Sequence, residues 1–316
     1  MASGTHIQWT DATWNPVTGC TKVSAGCKNC YAERLFPCVY GKDAIDVCRS
    51  CRGKGCPDCH GNGSIVPVPR RFTDVVCHEG DRLYQPLHWR KPRRVFVNSM
   101  SDLFHPDVPD EFIARVFDVM ARAPHHQFQV LTKRPERMNN WFHEKPVGPP
   151  DPLPNVWLGV SVEDQDAADE RVPVLLDTPA AVRFISAEPL LGPVDLGGWG
   201  EDWLRGIATR DDGRGEPEAY QTHALDWVIV GGESGPKARP MSIEWAKDIV
   251  RQCRDADVPV FVKQLGTSPY AIDDLGSPVT VNVKHRAGAD PSEWPEHLRI
   301  REYPFIEGVP DAEHAG

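Results

Sequence analysis

The chain has 316 residues, 40% of them hydrophobic and 25% charged, proportions that suit a globular protein with enough length for a full core. No window reaches the roughly 18 uninterrupted apolar residues of a membrane span, and the start, MASGTHIQWTD, lacks the basic and apolar regions of a signal peptide; no membrane partner and a cytoplasmic location are expected. The net charge of −10 excludes a surface that is basic all over, yet residues 1–150 hold 20 Lys and Arg against 15 Asp and Glu, and the excess gathers at RRF (70–72), HWRKPRR (88–94) and LTKRPERM (131–138), clusters suited to phosphate.

In chain order, HIQWTD (6–11) reads as a weak first strand. The loop after it, WNPVTGCTKVSAGCKNCYAERL, leads into a helix beginning near Tyr31. Residues 42–92 hold a cysteine-rich insertion and a basic linker. Six short, nearly continuous apolar runs follow, at 94–102, 128–136, 155–164, 182–190, 226–235 and 258–266. Runs of this kind suit strands buried on both faces of a parallel sheet. Helices are predicted between them at 109–122, 164–177 (with Pro173 its weak point) and 242–256. Three stretches break the pattern: a Pro-rich connector at 145–154, a Gly- and acid-rich loop or lid at 195–225, and a polar tail after Gly266. The alternation predicts an α/β fold, a partial parallel (β/α) TIM-like barrel over 1–266, with a small zinc-binding insertion at 42–66 and a C-terminal extension at 267–316.

Each strand runs directly into polar side chains: Asn98 and Asp102, Lys133 and Arg134, Ser161 and Glu163, Glu188, Glu233, Lys263 and Gln264. A parallel barrel opens all its strand C-termini on one face, where active sites are built, so these residues are expected to line one pocket.

Ten cysteines are many for a reducing compartment, and eight lie between positions 20 and 59; such spacing points to metal rather than cystine. Cys20, Cys27 and Cys30, spaced C-x6-C-x2-C, suit a 4Fe-4S cluster in which one iron lacks a protein thiolate and stays open to a small molecule. A zinc site on this loop would need a fourth ligand from Cys38, His60 or His78. Cys48, Cys51, Cys56 and Cys59 form two successive C-x2-C-x-G-x-G turns, the pattern of a closed, structural zinc site, with a further iron–sulfur cluster as the alternative. Over these sixteen residues the insertion resembles the zinc repeats of the DnaJ chaperone family, a match too short to carry chaperone function. Cys38, Cys77 and Cys253 read as ordinary buried or free thiols, and His125 and His126 as caps or surface residues.

The segments TWNPVTGC…GCKNCYAERL, NSMSDLFH, LTKRPERM, ISAEPLLG and GGESG together resemble the phage-associated three-cysteine family named after phage proteins gp-thirty-seven and gp-sixty-eight, which is distantly similar to spore photoproduct lyase. The three-cysteine loop after a first strand resembles that of the radical S-adenosylmethionine (SAM) superfamily, although three residues longer between its first two cysteines. The resemblance implies that the open iron chelates SAM, that one-electron cleavage yields methionine and a radical that abstracts hydrogen from substrate, and that a flavodoxin or ferredoxin supplies the electron. It further implies cofactor contacts from Gly231, Gly232 and Glu233, with Asn98 and Ser161 beside them, and substrate or ribose contacts from Glu163, Glu188 and Lys133. The expected function is therefore a radical SAM enzyme acting on an unidentified substrate, with a nucleic-acid base or nucleotide as candidate. The alternatives are a non-catalytic metal-binding module that recognises nucleic acid, and a zinc-dependent hydrolase.

Overall fold

The computed structural model describes residues 5, 7–40, 71–144, 152–197, 200–210 and 218–305. The chain opens with β1 (Ala12–Trp14) and β2 (Val17–Thr18), crosses the cysteine loop into α1 (Tyr31–Tyr40), and resumes at β3 (Val76–Cys77). The alternation then begins with β4 (Arg94–Val97), α2 (Asp110–Ala121), β5 (Gln127–Thr132), α3 (Pro135–Glu144), β6 (Val156–Ser161), α4 (Gln165–Asp177) and β7 (Val182–Ala187). After β8 (Glu201–Asp202), β9 (Ile207–Arg210) and β10 (Glu218–Gln221) come β11 (Trp227–Gly231), β12 (Met241–Ser242), α5 (Ile243–Asp255), β13 (Val260–Gln264), β14 (Pro269–Ile272) and β15 (Pro278–Thr280).

Seven strands form one sheet in the order β1-β4-β5-β6-β7-β11-β13, and every ladder in it is parallel. The strands lie side by side in the order in which the chain makes them. The sheet curls into a half-barrel: Trp9, just ahead of β1, meets Trp227 at the start of β11, five places across the sheet, with ring centroids 6.3 Å apart.

Alternation along the strands sorts two cores. Outward residues such as Val95, Val97, Val130, Leu158, Ile185, Val228 and Val262 pack against the helices through Phe112, Val116, Phe117, Trp141, Val172 and Ile249. Inward residues form a separate cluster of Trp9, Phe96, Trp157, Val182, Phe184, Trp227, Ile229 and Phe261, an aromatic plug filling the N-terminal half of the barrel. Residues 300–302 run antiparallel along the free edge of β13, and Tyr303 reaches back to lie 5.4 Å from Trp227 and to donate to the Gln8 carbonyl.

Several expectations need adjusting. The first strand is residues 12–14 rather than 6–11, because Asp11 turns back to accept the Arg94 amide at 2.7 Å and Trp9 is spent on the plug. Pro173 sits inside α4 without ending it; Asp164 caps that helix by accepting from Ala167 N at 3.0 Å. The strand expected over 128–136 ends at Thr132, and Pro135 already opens helix α3; part of 195–225 forms the antiparallel sheet β8-β9-β10. His126 is fully buried, with Nε2 3.2 Å from the Pro86 carbonyl, so it is a core residue and not a surface one. Cys77 and Cys253 are free thiols, as read. The insertion at 42–66 and most of the 145–154 connector lie outside the described residues. Among the described residues no helix is long and apolar enough to cross a membrane.

Candidate functional site

The loop from β2 to α1 crosses the C-terminal ends of the parallel strands and is fastened to them one by one. Ser24 Oγ donates to Glu163 Oε1 at 3.0 Å, beyond β6. Asn29 Nδ2 donates to Glu233 Oε2 at 2.9 Å, beyond β11. Arg134, beyond β5, donates through Nη2 to the Thr21 carbonyl at 3.0 Å, and its Nη1 stands 3.7 Å from Cys20 Sγ. Arg239 Nη1 donates to the Ala25 carbonyl at 2.8 Å. Gly26 lies so close to the Glu163 carboxylate that a Cβ there would collide with it, so the loop can settle at this depth only with glycine at that position.

Cys20, Cys27 and Cys30 are thus presented at the mouth of the half-barrel, partly exposed and outside any disulfide. Burial pushes the Cys20 thiol up to about 11, reinforced by the Asp102 carboxylate and opposed by Arg134. A thiolate at Cys27 would raise Cys20 further. Among the described residues no three His, Cys, Asp or Glu side chains converge as the ligands of a single ion would.

Around the thiols the strand ends carry charge in pairs. Arg134 Nη1 donates to Asp102 Oδ2 at 3.0 Å, and Asp102 also accepts from Thr132 Oγ1 at 2.8 Å. Glu163, 1% exposed, is paired with Arg171 at 2.9 Å and with Lys133 at 3.4 Å. Glu188 pairs with Lys263 at 2.8 Å and accepts from Ser186 Oγ at 3.2 Å. Glu233 is held by Arg239 at 2.6 Å and by Asn29; burial would raise its carboxyl, but the hydrogen bonds from Arg239 and Asn29 outweigh that and hold it below the ordinary carboxylate value.

The structure brings Lys133, Ser161, Glu163, Glu188, Gly231, Glu233 and Lys263 to one face with the three cysteines, but in unequal roles. Glu163 and Glu233 have their oxygens engaged by protein donors and serve as anchors of the cysteine loop. Gly231 backs onto Glu188, leaving no room for a Cβ, and Gly232 exchanges hydrogen bonds with Gln264. Ser161 contributes its carbonyl to Arg171 at 2.7 Å. Asn98, at a φ of 60° that asparagine tolerates, accepts from Val17 N at 3.2 Å and so fixes the approach to the loop. Lys133, Glu188 and Lys263 keep side-chain exposures of 21%, 14% and 19% and are the charged groups a ligand at the mouth would meet. Ser24, Asn29, Arg171 and Arg239 are not picked out in the sequence; each acts through a partner far along the chain or on a neighbouring element. Cys48, Cys51, Cys56 and Cys59 lie outside the described residues.

A curled parallel half-barrel with a three-cysteine loop seated across its strand C-termini defines an α/β protein of the partial (β/α)-barrel type. By its sequence pattern, which matches over residues 4–290, the chain belongs to the DUF5131 family, described as a protein family of unknown function. No curated protein and no solved structure matches it.

Proposed function

We propose that the chain is a radical SAM enzyme, with Cys20, Cys27 and Cys30 holding a 4Fe-4S cluster at the barrel mouth. The observation that carries this reading is the placement of the loop: three thiols and an otherwise polar lining at the one end of a parallel barrel where its chemistry is built. When bound, the cluster and SAM supply one-electron cleavage of the sulfonium and a hydrogen-abstracting radical. The protein's own residues position and insulate. Glu233 and Arg239 clamp the loop backbone at Ala25, and Arg134 orients Cys20. Lys263 and Glu188 form the ion pair most open to exchange, Lys263 toward a ligand carboxylate and Glu188 toward a ligand ammonium. Lys133 stands beside them for substrate or ribose. The aromatic plug closes the far end of the barrel against water. The four cysteines at 48–59 are assigned a structural zinc, and a flavodoxin or ferredoxin the role of electron donor.

The test is anaerobic reconstitution of the full chain. It should bind about four irons, turn brown, and on reduction release methionine and 5′-deoxyadenosine from SAM. Cys20→Ala, Cys27→Ala and Cys30→Ala should each remove the iron while leaving any zinc in place. A colourless protein that takes up zinc alone, or variants that keep their full iron content, would overturn the assignment.

A further inference from the structure

The basic stretch 88–94 lies at the end of the barrel opposite the cysteines. Arg93 precedes β4, Arg94 opens it, and Asn98, at the mouth, follows it; five residues of extended chain set the two ends roughly 16 Å apart. Beside this stretch is a cavity of about 640 Å3, lined by His88, Trp89, Arg90, Lys91 and Arg93 with one carboxylate, Asp81.

Cations are concentrated at this spot. Elsewhere several cations of this acidic chain are paired with acids, as Arg115 is with Glu79, Arg137 with Asp110, Arg205 with Asp202 and Lys247 with Glu244. None of the ion pairs among the described residues includes Arg90, Lys91 or Arg93. Arg90 and Lys91 are exposed. Arg93 packs its guanidinium 5.4 Å from the centre of the Trp89 ring, and its Nε is buried without a hydrogen-bond partner among the described residues. Three clustered cations facing the single carboxylate of Asp81 raise a local positive potential. The cavity volume falls in the range of small-ligand sites, and an indole wall suits a planar group.

We propose that this end of the barrel is a binding site for a phosphate ester carrying a planar base, either a free nucleotide or a stretch of single-stranded nucleic acid, with Arg90, Lys91 and Arg93 meeting the phosphates and Trp89 the base. The site is remote from the cysteine loop, so it holds a ligand rather than reacts with it, and it stands whether or not the chain carries a cluster.

The test uses the full chain and a fluorescently labelled single-stranded oligodeoxynucleotide of about twelve nucleotides, a length within single-strand site sizes, with anisotropy read across a salt series and with competition by ATP. Wild type should bind. Arg90→Glu with Lys91→Glu should weaken binding at least about tenfold at low salt and flatten the slope of log affinity against log salt by roughly 1.4, the loss of two single-strand phosphate contacts. The same change of charge at Lys247→Glu with Arg251→Glu, on α5 at the β11–β13 edge of the sheet, should alter binding less than about twofold. If circular dichroism shows the first variant misfolded, Arg90→Gln with Lys91→Gln replaces it, with a smaller loss in the same direction. Displacement by ATP at nucleotide concentrations matching the oligonucleotide identifies a free-nucleotide site, and resistance to ATP a strand site. Binding of neither probe by wild type, or equal losses in both double variants, would overturn the proposal.

Discussion

Glu163 collects a hydroxyl from Ser24, a guanidinium from Arg171 and an ammonium from Lys133 around a carboxylate that water scarcely reaches. A buried charge in this position is tolerable only while its partners stay. Arg171, itself 3% exposed, is the partner that cannot be replaced by solvent. Arg171→Ala is therefore expected to cost about 3–5 kcal/mol in urea denaturation, and a loss below about 1 kcal/mol would mean that water reaches Glu163 after all. The sequence marks Glu163, Glu188 and Glu233 as polar strand ends, because a parallel barrel must turn those positions to its mouth. It does not separate the anchors from the exposed pair. That division depends on Arg171 reaching in from α4 and Arg239 folding back six residues after Glu233, and nothing local in either stretch specifies the reach.

At the scale of elements, the inward faces of the strands act together. Trp227 touches Trp9, Trp157, Phe184, Phe261 and Tyr303, which come from every part of the chain. Trp227→Ala should cost about 3–5 kcal/mol of stability, with Trp227→Phe recovering more than half of it; chemical denaturation of both variants checks this, and a near-neutral alanine variant would show that the plug is not a shared core. The β/α alternation is legible because runs such as VRFISA and WVIVG are short and rich in β-branched and aromatic residues, as strands buried on both faces are. The first strand is misplaced because HIQW is apolar for a different reason: Trp9 belongs to the plug rather than to the ladder. Helix α3 escapes notice because LTKRPERM reads as the polar end of a strand, while Pro135 in fact opens a helix. The short sheet β8-β9-β10 lacks the apolar periodicity that would announce it.

The molecule as a whole should be sensitive to mild acid. Burial holds the His78 and His126 imidazoles down to about 4; His78 Nε2 sits 2.7 Å from Thr18 Oγ1, and its Nδ1 has no partner among the described residues. Below the unfolded value of about 6.5, the unfolded chain takes up protons that the folded chain refuses. Stability is thus complete above that pH and declines as the pH falls toward 4. Glu233, with its carboxyl depressed, adds a loss of the same sign further into acid. Urea midpoints compared at pH 7 and pH 5 should show the decline, and His78→Gln with His126→Gln should shrink the difference; an unchanged difference would place the acid sensitivity elsewhere.

Among the described residues the sheet does not complete its circle: β1 and β13 share no ladder, and Trp9, Trp227 and Tyr303 reach across the gap. Mechanically the barrel is a clip and not a ring. Edge-on and tilted ring contacts, not a backbone ladder, join the two edges at the plugged end, while the cysteine loop, tied to Arg134, Glu163 and Glu233, straps the other.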